Sequence, residues 1–258
     1  MKDYTLFIKN NIYHEINNNN KFDYVHLASI TKFIVLIGFL NCIEKHNISY
    51  NDNIKKVFPN YDYDYTFLDI INHNTITDNE WKSPYELQKK YFKSKNIYEY
   101  VLKIENNDKL KKGFNYNNYT YDILAYTVYK LEKMYIDKYL EETILKNVKY
   151  KWNKRSAKPF ASFGLFIHTK TFKIFAENLC SILKIKNLNF FWNNKDYIII
   201  KSKKYYLIGS DGSGGQYMYY NLKLNSILFW FSYNNSDEKI RTMKKYNDLF
   251  IKLFKSVE

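Results

Sequence analysis

A chain of 258 residues with 46% hydrophobic content can bury a sizeable core, which excludes a disordered chain and fits one large domain or one domain with a helical insertion. The formal net charge of +14 invites a nucleic-acid reading, yet Arg155 and Arg241 are the only arginines. Bidentate recognition of phosphates and base edges favours arginine, and no element gathers the lysines into a stripe, so the excess reads as compositional bias and argues against specific nucleic-acid binding.

At the start, YTLFIK and NIYHEI read as two short strands broken at Asn10-Asn11. The same stretch lacks the apolar core and small-residue cleavage site of a secretory leader, which predicts an intracellular, cytoplasmic protein unless a leader has been removed. NNNN at 17–20 is a loop. From Ile30 to about His46 apolar residues recur with little polar relief, predicting a mostly buried helix with Ser29 at or beside its N-cap. Its longest apolar run, Phe33 to Leu40, is far too short to span a bilayer. ISYNDNIKKVFPNYD holds a turn and a short amphipathic helix ending before Pro59, and TFLDIINHNTIT a helix and then a loop. SPYELQKKYFKSKNIYEYVLKIENNDKL reads as a helix polar on one side, and KKGFNYNN as a loop. Two helices follow from Tyr119 to Lys146, and KTFKIFAENLCSILKI is another. Then DYIIIKS, KYYLIGS, GQYMYYNL and NSILFWFSY have strand lengths, β-branched or aromatic content and turn punctuation. DEKIRTMKKYNDLFIKLFKS closes the chain as an amphipathic helix.

Strands at both ends with about seven helices between them predict an α/β chain of the α+β kind. One antiparallel sheet of roughly five strands would come from the terminal segments, about 1–35 and 190–258, flanked by helices, with a reduced all-helical lobe over about 50–185, in a single domain spanning 1–258. The lack of βαβ alternation and the presence of only seven glycines argue against a doubly wound nucleotide fold. Cys42 and Cys180 each fall inside a helix and are expected as reduced, buried thiols. His14, His26, His46, His73 and His168 show no ligand spacing of the H-E-x-x-H kind, so no metal and no other cofactor is expected.

Three stretches could carry chemistry. Ser29 and Lys32 lie one turn apart at the mouth of the buried helix, so their side chains can meet, and the helix N-terminus favours negative charge there. The bland reading is a serine cap followed by a solvated lysine, and Ser-x-x-Lys also occurs at Ser181–Lys184 and Ser236–Lys239. Tyr116-Asn117-Asn118 precedes a helix, where a phenol and an amide could face a cleft or simply cap that helix. The glycines at 209, 212, 214 and 215 allow close backbone approach. Without Gly-Lys-Ser/Thr or a following helix they make no phosphate loop, and alone they read equally well as a hairpin turn.

Together and in this order the three resemble the penicillin-recognising serine hydrolases, on the branch of class C β-lactamases and related esterases and peptidases. VHLASITKFIVLIGFLNCIEKHNISYNDNIKKVFPNY looks like that family's Ser-x-x-Lys helix and the segment after it. TFLDIINHNT is similar to its Leu-Leu-x-His-x-Ser segment, with His73 matching, and FNYNNYTYDILAYTVYKL to its Tyr-x-Asn motif and helix. ASFGLFIHTKTFKIF is similar to a later Gly-Leu helix start. GSDGSGGQYMYYNLKLNSILFWFSY resembles the third-motif hairpin in a Gly-Gly-Gln variant.

The resemblance implies a β-lactamase/transpeptidase-like fold and hydrolysis of a small-molecule ester or amide through an acyl-enzyme. Ser29 would be the nucleophile, Lys32 its base and Tyr116 the partner base that activates the deacylating water. Asn118 would bind the substrate's amide or acyl chain. The oxyanion hole would pair the Ser29 N–H with one from the Gly-rich strand end. Reading Ser213-Gly214-Gly215 as the third motif makes Gln216 that donor; reading Ser210-Asp211-Gly212 makes it Ser213. The third motif lacks the family's usual Lys or His, which favours neutral substrates over carboxylates. His73 is followed by Asn74-Thr75-Ile76 rather than Ser-Gly, and the chain is short for the family. The alternative is a catalytically degenerate member that binds a ligand or partner in the same cleft.

Overall fold

A computed structural model of the protein describes residues 3–9, 12–16, 23–61, 64–77, 93, 96–104, 111–112, 116, 118, 120–185, 200–202, 207–212, 215–221 and 226–232. The helix expected from Asp237 onward, most of the one expected over 83–110, and Ser213 and Gly214 lie outside them.

The centre of the molecule is α1 (Ile30–Lys45), in which Ile30, Phe33, Ile34, Val35, Leu36, Phe39 and Cys42 have no exposed surface. Isoleucine and valine are only moderate helix formers, so burial on nearly every side, rather than propensity, holds this segment helical. The helix closes with Asn47 in the left-handed region (φ 54°) and the Ile48 N–H donating to Ile43 O at 2.8 Å, which satisfies terminal carbonyls.

The other described α-helices are α2 (Phe67–Ile71), α3 (Ile97–Ile104), α4 (Thr120–Glu132), α5 (Ile136–Glu141) and α6 (Phe172–Ile185). α4 and α5 pack along one flank of α1, with α2 and α3 behind α4. Gly38 permits the α1–α5 contact, since a Cβ there would stand 2.8 Å from Leu140 Cδ2. α2 begins with a capping box in which Thr66 Oγ1 accepts from Asp69 N and Asp69 Oδ2 accepts from Thr66 N.

The main sheet uses both ends of the chain. Its strands are β1 (Asp3–Lys9), β2 (Ile12–Ile16), β6 (Ile200–Ser202), β7 (Leu207–Gly212), β8 (Gln216–Asn221) and β9 (Ser226–Ser232), in the antiparallel order β6-β7-β8-β9-β1-β2. β1 pairs with β9 from Asp3↔Ser232 to Lys9↔Ser226, so the first strand completes a sheet built by the last. α6 covers one face, where Phe172 meets Phe229 and Phe231 edge-on at 5.0 and 5.5 Å.

The mixed helix and antiparallel-sheet class is as the sequence implies, with six paired strands rather than roughly five. The middle of the chain is not all-helical, however. β3 (Tyr24–His26), β4 (Tyr150–Trp152) and β5 (Leu165–His168) form a second sheet in the order β3-β5-β4. Strands of three or four residues are too short to display an alternating pattern. Lys111–Lys112, expected in a loop, pairs with Ile76–Thr77. The second of the two helices expected up to Lys146 stops at Glu141 and continues as turns with Asn147 at φ 60°, although Ile144 and Leu145 stay buried.

Candidate active site

Four segments converge at the N-terminal end of α1. The first is the turn out of β3. Leu27 N–H donates to Leu165 O at 3.0 Å, Ala28 takes a φ of 47°, and Ser29 then starts the helix at φ −66°, ψ −14°. A non-glycine residue held in the left-handed region is strained and persists only where its surroundings over-determine it. Ser29 occupies the N-cap position but makes no capping hydrogen bond with its side chain. Its Oγ is instead 3.3 Å from Lys32 Nζ and 3.0 Å from the Tyr116 hydroxyl.

The second segment runs from 116 to 118. The Tyr116 hydroxyl donates to Ser29 Oγ, and Asn118 Oδ1 accepts from Lys32 Nζ at 2.9 Å. Tyr116 is 46% exposed, so one side of the cluster is open to an incoming molecule. Its ring stands 4.8 Å from that of His73, and Lys32 Nζ lies 4.9 Å from the Tyr116 ring centroid. His73 follows α2 with φ 49°, is fully buried and shares a 3.0 Å hydrogen bond between Nδ1 and Thr120 Oγ1. Burial, reinforced by Lys32, holds His73 down to about 3, so it backs the tyrosine as a neutral imidazole.

The third segment precedes β5. Ser162 O accepts from Lys32 Nζ at 3.2 Å, and Ser162 Oγ donates to Asn118 O, joining the second and third segments. Asp122, wholly buried on the first turn of α4, accepts from Ala161 N at 2.8 Å through Oδ1. That bond fixes the residue next to the carbonyl holding the lysine.

Lys32 is the consequence of this packing. Its side chain has no exposed surface, and the oxygens holding its amine belong to a hydroxyl, an amide and a peptide carbonyl rather than to a carboxylate. Burial brings its pKa down to about 7 from an ordinary 10.5, against the pull of Asp122, which raises it.

The fourth segment is the β7–β8 hairpin. Gly212 pairs with Gln216, Gly215 N donates to Gly212 O at 3.1 Å, and Gly215 has φ 87°. A Cβ on Gly212 would lie 3.0 Å from Ala28 Cβ and 2.5 Å from Gln216 Oε1. Glycine lets this strand end lie close against the residue before Ser29 without displacing Ala28 or the Gln216 side chain.

A family model described as Beta-lactamase matches residues 23–154, slightly more than half of the chain. The chain belongs to the beta-lactamase family. Among solved structures it is similar to a Bacillus anthracis chain given the name 6-aminohexanoate-dimer hydrolase (TM-score 0.70, 14% identity, covering 98% of this chain and 78% of that one). It is also similar to FmtA from Staphylococcus aureus (0.68, 13%, 96% and 82%) and to a D-stereospecific amidohydrolase from Streptomyces sp. (0.61, 10%, 92% and 92%). At these identities the likeness shows the shared fold. No curated protein matches the sequence.

Within this beta-lactamase-family chain, hydrogen bonds link Tyr116 to Ser29, Ser29 to Lys32 and Lys32 to Asn118. Gly215 and the buried Gln216 sit at the hairpin, while Ser213 and Gly214 are outside the described residues. Sequence reasoning missed Asp122 and Ser162. Asp122 looks like an ordinary first-turn acid. The one hint is its place four residues after Asn118, among the apolar residues of TYDILAYTV. Ser162 acts largely through its carbonyl, which no sequence marks. Among the described residues no helix is long and apolar enough to cross a membrane.

Proposed function

We propose that the protein is a serine hydrolase that cleaves a neutral ester or amide through an acyl-enzyme on Ser29. The observation carrying this reading is the buried, carboxylate-free Lys32 amine 3.3 Å from Ser29 Oγ. A neutral amine has two N–H donors and one lone pair. With the donors directed to Asn118 Oδ1 and Ser162 O, the lone pair faces Ser29. Ser29 then gives its proton to Nζ as Oγ attacks the substrate carbonyl carbon. The Tyr116 hydroxyl, bonded to the same Oγ, relays that proton to the leaving alkoxide or amine, whose bond to the acyl carbon breaks. In the second half-reaction it takes a proton from the attacking water while passing its own toward Lys32, and Lys32 returns a proton to Ser29 Oγ as the bond between Oγ and the acyl carbon breaks and the acid leaves. Asn118 has its Oδ1 engaged by Lys32, which leaves its N–H donors for the substrate.

The oxyanion would meet the Ser29 N–H and a second donor from the hairpin. Gly212 against Ala28 favours the register with Ser210-Asp211-Gly212 as the third motif, and hence the Ser213 N–H, over Ser213-Gly214-Gly215 with Gln216. Neither register contains a cation, and Ser210 is wholly buried, which supports neutral substrates. Gly212→Ala is expected to displace the strand end and lower kcat/KM about 10²-fold with the fold retained, measured on an aryl ester alongside circular dichroism.

Because Lys32 acts as the neutral amine, acylation should rise as pH passes through about 7 and level off above it. The Asp122 charge holds that pKa up, so Asp122→Asn, which keeps an Oδ1 acceptor for Ala161 N, should move the acid limb to lower pH by about one unit. A purely structural role would lower the plateau and leave the limb in place.

The direct test is labelling with a fluorophosphonate and with a fluorescent penicillin, comparing the native chain with Ser29→Ala. Strong phosphonate labelling of the native chain alone, with weaker labelling by the carboxylate-bearing penicillin, supports the reading. Equal labelling of both chains, or of neither, contradicts it.

A further inference from the structure

We propose that Cys42, His46 and Glu132 form a site for one thiophilic divalent cation, of the Zn²⁺ class, at the end of α1 remote from Ser29. Cys42 and His46 are one helical turn apart, and the His46 N–H donates to Cys42 O, which fixes their spacing. Glu132 arrives from the last residue of α4. One ligand atom from each residue lies within 4.8 Å of the others, and His46 Nε2 already meets Glu132 Oε1 at 2.9 Å. Thiolate, imidazole and carboxylate bind zinc at about 2.0–2.3 Å, so ligand atoms around one ion stand about 3–4 Å apart; the three here lie within 4.8 Å of one another, and the 2.9 Å His46–Glu132 pair would open slightly.

The surroundings suit a cation. The carbonyl end of α1 carries negative partial charge, and Glu142 acts electrostatically on the same corner. Lys45 Nζ holds Glu132 Oε2 at 2.7 Å, but its side chain is 61% exposed and can turn to solvent. Cys42 is wholly buried while the His46 side chain is 32% exposed, so the ion would enter from the histidine side, with water completing its shell. On binding, sulfur exchanges its proton for the metal and the proton leaves to the buffer. The ion also replaces the hydrogen bond between His46 Nε2 and Glu132, the imidazole proton moving to the other ring nitrogen. The result is a clamp between the C-terminal ends of α1 and α4, the two helices that carry Lys32 and Asp122. The sequence reading expects no metal because the histidines lack a local ligand pattern; the pairing of Cys42 with His46 gains its third member only through the fold.

The test is titration of the tag-free, full-length chain with Co²⁺ and then Zn²⁺. The expected result is one equivalent of Co²⁺ with a thiolate-to-cobalt charge-transfer band, displaced by Zn²⁺, and a Zn²⁺-dependent rise in Tm. Cys42→Ser should abolish the band, and His46→Gln should weaken Zn²⁺ binding at least about tenfold, whereas Cys180→Ser should bind as the native chain does. No bound cobalt, cobalt without a thiolate band, or a band that survives Cys42→Ser would overturn the assignment. None of these readouts depends on hydrolytic activity.

Discussion

Ser29→Ala is expected to lower kcat/KM toward a neutral aryl ester by about 10⁴-fold or more while leaving the unfolding free energy within about 0.5 kcal/mol of the native chain. The two halves belong together. A serine that caps a helix through its hydroxyl loses about 1 kcal/mol on truncation to alanine. Here Ser29 stands at the N-cap without such a bond, its Oγ turned to Lys32 and Tyr116. A loss of turnover without a loss of stability identifies a hydroxyl held for chemistry. A stability loss near 1 kcal/mol with unchanged turnover would mean that it is only a cap. Ester kinetics and urea unfolding on the same preparations read both.

Lys32→Met is expected to lower turnover by a similar factor and, unlike Ser29→Ala, to stabilise the protein at acid and neutral pH. Lys32 titrates at about 7 when folded and at an ordinary 10.5 when unfolded. Between those values the unfolded chain binds more protons, so native stability rises with pH across that window, and the burden of the buried amine is fully present below about 7. Methionine fills a similar volume without the charge. It also leaves Asn118 Oδ1 and Ser162 O without their lysine donor, which offsets part of the gain. The net gain should be about 1–2 kcal/mol at pH 6 and disappear or reverse by pH 9.5. A variant less stable than the native chain at pH 6, or a difference that does not change with pH, would show that Lys32 is not held neutral by burial. Denaturant unfolding at the two pH values decides it.

What the sequence disclosed depended on whether the information was local. The apolar run from Phe33 to Leu40 forces a buried helix, and the aromatic and β-branched runs near 207–232 force strands, so both were legible. So was the spacing that places Ser29 and Lys32 one turn apart. The features that give the cluster its chemistry are not local. The depressed pKa of Lys32 comes from wholesale burial, and Ala28, with its positive φ, lies between the end of β3 and Gly212 of a strand far along the chain. Asp122 governs the lysine from α4 through Ala161 N and its own charge. β5, which follows Ser162, and its partner β4 are shorter than any pattern that would reveal them. Glu132 joins Cys42 and His46 only when α4 lies along α1.

The central claim is that Ser29 attacks because an uncharged Lys32 stands beside it. Rapid acid quenching of the native chain with a slowly deacylating aryl ester at pH 8, followed by intact-mass and peptide mass spectrometry, tests it most directly. The account expects one acyl group per chain, located on the peptide containing Ser29, and accumulating more slowly at pH 6 as Lys32 takes up its proton. Acyl groups spread over surface lysines, or an adduct on another residue, or accumulation equally fast at both pH values, would contradict it.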